Sequence, residues 1–317
     1  MTYPGLDVLR GIAAIAIVGR HLGLFPTTKA ASALLHFTDT GVAVFGTISG
    51  FLLASSLTDR PVGIGAFICK RAKRLLPMYF FWSLVYIVLT MVYDILFDGG
   101  TIGAKFTQWG FWRAAILTGN ASNHLWFLIW LFYWSVLLRL VWPVVKRPYV
   151  ALPLCLVSLW SAAFGAGDFN YYAMRLLAFL LLGIFMFSVQ PFLRRVSIGV
   201  WLFCGGLACV GHFLLSTWNT KFLWDAFVVV SVLSLACGQS FSAGLIGWWL
   251  GHVSLGVYLI HPLFAVGCAF VAKRFFEAPY NLLLLFLDWS LVVLLSCVSV
   301  IVMKKFSRRF VWLEQIC

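Results

Sequence analysis

Pro4-Gly5-Leu6-Asp7-Val8-Leu9-Arg10-Gly11-Ile12-Ala13-Ala14-Ile15-Ala16-Ile17-Val18-Gly19-Arg20-His21-Leu22-Gly23-Leu24 is the stretch whose reading decides the fold. Residues 4–24 read as one hydrophobic helix, yet that helix carries Asp7, Arg10, Arg20 and His21. An ionisable group at the centre of a span costs about 2.5–3.5 kcal/mol even on the lenient insertion scale. A helix accepts such a cost mostly where the groups face a protein interior or a wet cavity. Arg10 and His21 are 11 residues apart, roughly 16 Å along a helix axis at about 1.5 Å per residue. Eleven residues are also about three turns, so both point to nearly the same face. With Arg10 at one membrane face, His21 lies past mid-bilayer. The plainer alternative is a snorkelling Arg and a His at the far interface.

Composition agrees with a membrane reading. Of 317 residues, 62% are hydrophobic and 10% charged, and the mean hydropathy is +0.98. An ordinary soluble domain is about 25% charged. The 15 Trp and 10 Tyr suit interfacial belts. The formal net charge of +13 would suit nucleic acid, but the excess sits in short loops between apolar runs, where cytoplasmic positive loops account for it. The opening Met-Thr-Tyr-Pro is short and uncharged, so the first apolar run reads as a span and not as a secretory leader. The 8 Cys lie mostly inside apolar runs without metal-ligand spacing and read as small core residues. No metal site is expected.

Ten apolar runs are long enough to span: 5–24, 41–57, 77–96, 125–145, 149–166, 171–189, 198–216, 223–237, 250–272 and 281–303. The Gly-rich 238–249 piece between two of them reads as a tight turn or a re-entrant segment. With the N-terminus in the cytoplasm, the inside loops hold Arg60, Lys70, Arg71, Lys73, Arg74, Lys146, Arg147, Arg194, Arg195, Lys304, Lys305, Arg308 and Arg309. The outside loops hold Lys29, Lys105, Arg113, Lys221, Lys273 and Arg274. Thirteen against six favours N-in, and an even number of spans puts the C-terminus inside as well. The expected fold is therefore an all-α polytopic membrane protein, a bundle of about ten transmembrane helices, N-in and C-in, forming one domain over 1–317. The 97–124 loop is the longest external one, and its Gly110-Phe111-Trp112-Arg113 suits the interface.

Four further stretches carry chemistry-bearing residues. Ile48-Ser49-Gly50-Phe51 in the second run allows close helix packing, and Ser49 is the residue there that would line a polar interior. Lys70-Arg71-Ala72-Lys73-Arg74-Leu75-Leu76-Pro77 leads into the third run, and Pro77 marks the entry to that span. It reads either as positive-inside anchoring or as a phosphate site, because Arg71 and Arg74 are helical neighbours and guanidinium binds phosphate oxygens bidentately. His124-Leu125-Trp126-Phe127-Leu128 opens the fourth run and reads most simply as an interfacial belt. In the ninth run Ser254, Tyr258 and His261 fall at i, i+4 and i+7, a polar stripe on an apolar helix that must face protein or water. Arg175 in the sixth run needs a buried partner, and Asp288 in the tenth is the carboxylate this reading offers it. Spacing alone gives a membrane protein with a polar interior and no reaction.

The motifs taken together resemble the acyltransferase family 3 membrane proteins. Leu6-Asp7-Val8-Leu9-Arg10-Gly11-Ile12-Ala13-Ala14 followed by His21 is similar to the family's opening, an Arg, ten residues and a His. Ser49-Gly50-Phe51-Leu52-Leu53 resembles its second-helix motif. Arg71-Ala72-Lys73-Arg74-Leu75-Leu76-Pro77-Met78-Tyr79 resembles its Arg-x-x-Arg stretch, and His124-Leu125-Trp126-Phe127-Leu128 a Leu-Trp-Phe-Leu variant. Leu250 to Pro262 resembles its near-terminal Ser…Tyr-Leu-x-His motif. The chain departs from the pattern at Ala43, where many members carry an acidic residue, and at Ile129-Trp130-Leu131, where many carry a Glu pair.

The resemblance implies a multi-pass protein of the bacterial inner membrane. It implies transfer of an acyl group, usually acetyl, from cytoplasmic acyl-coenzyme A to a hydroxyl of an envelope polysaccharide or lipid-linked sugar. His21 would be general base or acyl relay, with Arg10 binding the donor or stabilising negative charge. Arg71 and Arg74 would hold the donor's phosphates, with Lys70 and Lys73 adding attraction. Ser49, Trp126, Ser254, Tyr258 and His261 would position substrate. Acetyl-coenzyme A enters as a substrate and no cofactor is bound permanently. The expected partners are the donor, the glycan acceptor and the lipid bilayer, with no nucleic acid. The rival reading is a secondary transporter or exporter of a small polar solute, which intramembrane charges serve equally well.

Overall fold

The structure is a computed structural model that describes residues 3–22, 28–59, 62–97, 108–119, 124–165, 167, 169–215, 220–238, 244–275 and 282–307. Among the described residues every regular element is a helix. In chain order they are α1 (Pro4–His21), α2 (Lys29–Thr38), α3 (Thr40–Asp59), α4 (Ile64–Phe97), α5 (Trp109–Leu117), α6 (Trp126–Leu140), α7 (Pro148–Phe164), α8 (Arg175–Leu193), α9 (Ile198–Leu215), α10 (Lys221–Gly238), α11 (Gly244–Phe275) and α12 (Leu282–Ser307). A single turn of helix, Trp142–Val145, follows α6, and a π-helical segment, Phe169–Met174, leads into α8.

The sequence accounts for the ends of α1. Pro4 sits at its first turn, where a missing N–H costs no hydrogen bond. Asp7 lies in the first turn and Arg20 and His21 in the last, the signs that complement the helix dipole. The described residues of the ten apolar runs are almost all helical, the 125–145 run being divided between α6 and the Trp142–Val145 turn and the 171–189 run between the π-helical segment and α8. Among the described residues six helical stretches are long and apolar enough to cross a membrane: Ala31–Asp59, Ile64–Val92, Tyr171–Leu193, Ile198–Leu215, Trp249–Cys268 and Leu282–Lys305. Trp126–Leu140 and Pro148–Phe164 are shorter apolar helices. Many large apolar side chains, Leu84, Ile95, Trp160, Phe203, Leu214 and Leu283 among them, are exposed on helix surfaces. That is the expected outer face of a protein whose solvent is lipid.

Three sequence-based expectations change. Residues 64–76, read as part of a loop, are the first turns of α4, which runs unbroken through Pro77 for 34 residues. Pro77 therefore lies inside a helix and does not mark its start. The external loop contains helix α5, and residues 98–107 and 120–123 lie outside the described residues. Residues 244–249 of the supposed turn belong to α11, while 239–243 lie outside the described residues, as do Arg60, Lys105, Arg308 and Arg309 from the charge count.

The chain forms two compact units. The first comprises Met1–Asp59 and Pro143–Lys305, the second Arg60–Trp142 and Phe306–Cys317. In the first unit α1 packs along α11 and also meets α3 and α10, while α8 packs on α3 and α7. Glycines set these approaches. A Cβ on Gly251 would fall 2.6 Å from the Cβ of Asp7, and one on Gly11 2.5 Å from that of Leu250, so α1 and α11 touch backbone to backbone. At the α3–α8 crossing, Gly50 lies against the carbonyl of Leu180 and Gly183 against that of Thr47, leaving no room for a side chain on either. This is the small-residue packing that the Ser49-Gly50 pair permits. In the second unit α4 packs on α6. Tyr79 of α4 donates to the carbonyls of Ala115 and Ile116, tying α5 to the same helix.

Candidate active site

His21 ends α1 and His261 lies in α11, and the packing of the two helices brings their rings together. The centroids are 4.8 Å apart in an edge-on arrangement. His21 Nδ1 is 3.1 Å from His261 Nε2. Each ring also turns its Nδ1 toward the carbonyl one helical turn earlier, His21 to Ile17 at 3.0 Å and His261 to Val257 at 3.1 Å. His261 is fully buried and His21 half-buried. Trp289 of α12 packs against Gly19 and donates its indole N–H to the carbonyl of Ile15 at 2.8 Å, which fixes the last turns of α1 from another side.

The rest of the expected polar stripe on α11 is buried as well. Ser254 donates to the carbonyl of Gly251 at 2.9 Å, and the Tyr258 ring lies between Phe45 and His261, 6.2 Å from each. Ser49 is half-buried on α3. Arg10 donates to Asp7 at 2.7 Å within α1, both side chains being partly exposed. The structure thus joins His21 to His261, whose ring in turn neighbours that of Tyr258. It places Arg10 about three turns earlier on the same helix.

The basic stretch and Trp126 belong to the second unit. Arg71 is half-buried on α4 with its guanidinium 5.4 Å from the centre of the Phe67 ring, a cation–π contact. Lys70, Lys73 and Arg74 are exposed on the same helix. Trp126 is buried at the start of α6, and the neighbouring His124 is buried edge-on to Tyr86 at 4.9 Å. Among the described residues no group of three or more His, Cys, Asp or Glu is placed to hold a metal ion.

Residues 3–303 match the family model described as an acyltransferase domain, and that match runs through both units. This chain belongs to acyltransferase family 3. No curated protein and no solved structure matches it. It is a membrane acyltransferase.

Beside the His pair, the acyltransferase holds an ionic network that its sequence did not announce. Asp39, between α2 and α3, pairs with Lys221 and lies 3.1 Å from Arg175 Nη1 and 3.9 Å from Arg20 Nε. Arg175 also donates to the Asp39 carbonyl at 3.1 Å and reaches Asp225 at 3.5 Å. Asp225 accepts from Thr40 at 2.7 Å and meets His212 at 3.2 Å. Arg175 is only 1% exposed and is sandwiched near the Tyr171 and Phe222 rings. Its partners are Asp39 and Asp225, which corrects the expected pairing with Asp288. Asp225 carried the usable signal, a carboxylate inside an apolar run with Lys221 one turn before it. Asp39 carried almost none, because it sits just outside a run where an exposed carboxylate is ordinary.

Proposed function

We propose that this acyltransferase moves an acyl group, most simply acetyl, from cytoplasmic acyl-coenzyme A to a hydroxyl of an envelope polysaccharide or lipid-linked sugar in the inner membrane of a bacterium. The observation that carries the reading is the imidazole of His21, held at the end of α1 against a buried polar stripe in a chain of this family. Transfer needs a base within reach of the acceptor hydroxyl and able to work near neutral pH. His21 takes the hydroxyl proton as the oxygen attacks the thioester carbonyl. The carbon–sulfur bond then breaks, and the proton passes to the departing thiolate. If the acyl group rests first on His21, the same ring is the nucleophile. Arg10 serves the donor or the negative charge that develops during transfer.

In the second unit Arg71 and Arg74 are suited to coenzyme A phosphates, since each guanidinium offers a planar pair of donors. Lys70 and Lys73 add attraction without that geometry. Ser49, Trp126, Ser254 and Tyr258 position substrate. About ten spans with both termini in the cytoplasm place the basic start of α4 on the side where acyl-coenzyme A is made.

His21→Gln is the test. The amide hydrogen-bonds but cannot take the proton. Membranes carrying the native protein and supplied with acetyl-labelled acetyl-coenzyme A should transfer label to envelope glycan, and the His21→Gln membranes should not, although the variant inserts and binds the donor. Transfer by His21→Gln at near the native rate refutes the role given to His21.

A further inference from the structure

We propose that His261 is a positioning residue that orients His21 and fixes its tautomer, so that Nε2 of His21 is the atom that receives the proton or the acyl group. This rests on the function proposed above. It assigns His261 to the catalytic imidazole and not to substrate.

The tautomers follow from the two carbonyls. A neutral imidazole has one N–H and one lone pair, and its partners decide which nitrogen has which. The carbonyl of Val257 is 3.1 Å from His261 Nδ1 and can only accept. His261 therefore carries its proton on Nδ1 and presents the lone pair of Nε2. That lone pair faces His21 Nδ1 at 3.1 Å. The carbonyl of Ile17, 3.0 Å from the same His21 nitrogen, also accepts. The His21 Nδ1–H is thus shared between two acceptors, and its Nε2 is left with the lone pair. The opposite assignment fails twice. It sets a lone pair of His21 against the Ile17 carbonyl and a lone pair of His261 against the Val257 carbonyl.

In many enzymes a carboxylate holds the basic His. The carboxylate nearest the end of α1 in the ionic network, Asp39, is already engaged by Lys221, Arg175 and Arg20. His261 supplies the acceptor instead, from a fully buried position on a neighbouring helix. When His21 takes the acceptor's proton on Nε2, the positive charge spreads to Nδ1–H. The bond to His261 Nε2 then becomes charge-assisted, and such bonds are about twice as strong as neutral ones. The contact is therefore stronger after proton transfer than before it, which is the condition for an interaction to speed the chemical step.

The experiment uses the full chain in proteoliposomes with acetyl-coenzyme A as the probe, reading thioester consumption, beside ring nitrogen-15 NMR of the histidine-labelled protein. His261→Gln keeps an acceptor oxygen, whereas His261→Phe fills the space and removes the acceptor. We expect His261→Phe to lose roughly twentyfold or more in kcat with KM for acetyl-coenzyme A within about twofold, and His261→Gln to stay within about threefold of native. Equal losses in the two variants, or a native rate in His261→Phe, overturn the proposal. NMR of the unmutated protein decides it without relying on either variant. The resonances lost in His21→Gln should show Nδ1 protonated and Nε2 unprotonated at neutral pH, and the reverse pattern overturns the proposal. A His21→Gln protein that consumes acetyl-coenzyme A at the native rate would instead overturn the role proposed for His21, on which this inference rests. An inactive His21→Gln beside a fully active His261→Phe would overturn only the role of His261.

Discussion

Asp39 gathers Arg175, Lys221 and Arg20 around one carboxylate. Burying these charges is expensive, and the pairing offsets the cost only while it is complete. Removing one partner leaves its cations buried and uncompensated, which destabilises by about 3–5 kcal/mol. Asp39→Asn should therefore lower the thermal unfolding temperature of the detergent-purified protein far more than Asp7→Asn does. Asp7 and Arg10 are one turn apart and partly exposed, so their ion pair is worth about 0–1 kcal/mol. Equal melting temperatures for the two variants would contradict the network's structural weight. The same residues show what a sequence can disclose. Arg175 within an apolar run had to have a carboxylate, and that need was legible. Which carboxylate was not, because periodicity says what a helix buries and nothing about which helix ends meet. His21 and His261 were each legible as polar groups on apolar helices. Their pairing depends on the close approach of α1 and α11 at Gly251, which no spacing within either helix encodes.

At the scale of elements, α4 and the α3–α8 crossing each tie a local pattern to a site. Gly50 and Gly183 bring α3 and α8 together so closely that even a methyl group meets main chain. Backbone cannot step aside as a side chain can, and overpacking a tight contact typically costs about 1–3 kcal/mol. Gly183→Ala should lower the melting temperature and increase aggregation in size-exclusion chromatography. Gly199→Ala, where nothing lies within 4 Å, should be silent. The 34 residues of α4 make it about 51 Å long at 1.5 Å per residue, well beyond a hydrocarbon core of about 30 Å. Its apolar part was legible as a run. Its basic first turns read as loop because Pro77 looked like a boundary, yet a helix can continue through a proline by giving up one hydrogen bond. A helical basic stretch holds Arg71 and Arg74 at fixed spacing. Arg71→Lys should then weaken acetyl-coenzyme A binding in calorimetry more than Lys70→Arg does, since only Arg makes the planar two-bond contact. Equal affinities would remove the case for a specific phosphate site.

For the whole molecule, the helix order and the charge distribution make a joint statement about the membrane. In the topology proposed above, α1, α3, α4 and α6 to α12 each cross once, ten crossings that leave both ends on one side. The thirteen cations counted in the inside loops are the ground for proposing that this side is the cytoplasm. Cys69 offers a direct test, because it is exposed on α4 one residue before Lys70 and eight before Pro77. If residues 77–96 fill the hydrocarbon core, Cys69 projects about 12 Å beyond it at 1.5 Å per residue. It should therefore stand in water on the cytoplasmic side. A variant retaining Cys69 as its only cysteine should react with a membrane-impermeant maleimide in inside-out vesicles and stay unlabelled in right-side-out vesicles until detergent is added. Labelling from the outside would invert the orientation. It would also withdraw Arg71 and Arg74 as donor ligands, because coenzyme A is a cytoplasmic compound carrying several phosphate charges that do not cross the bilayer unaided.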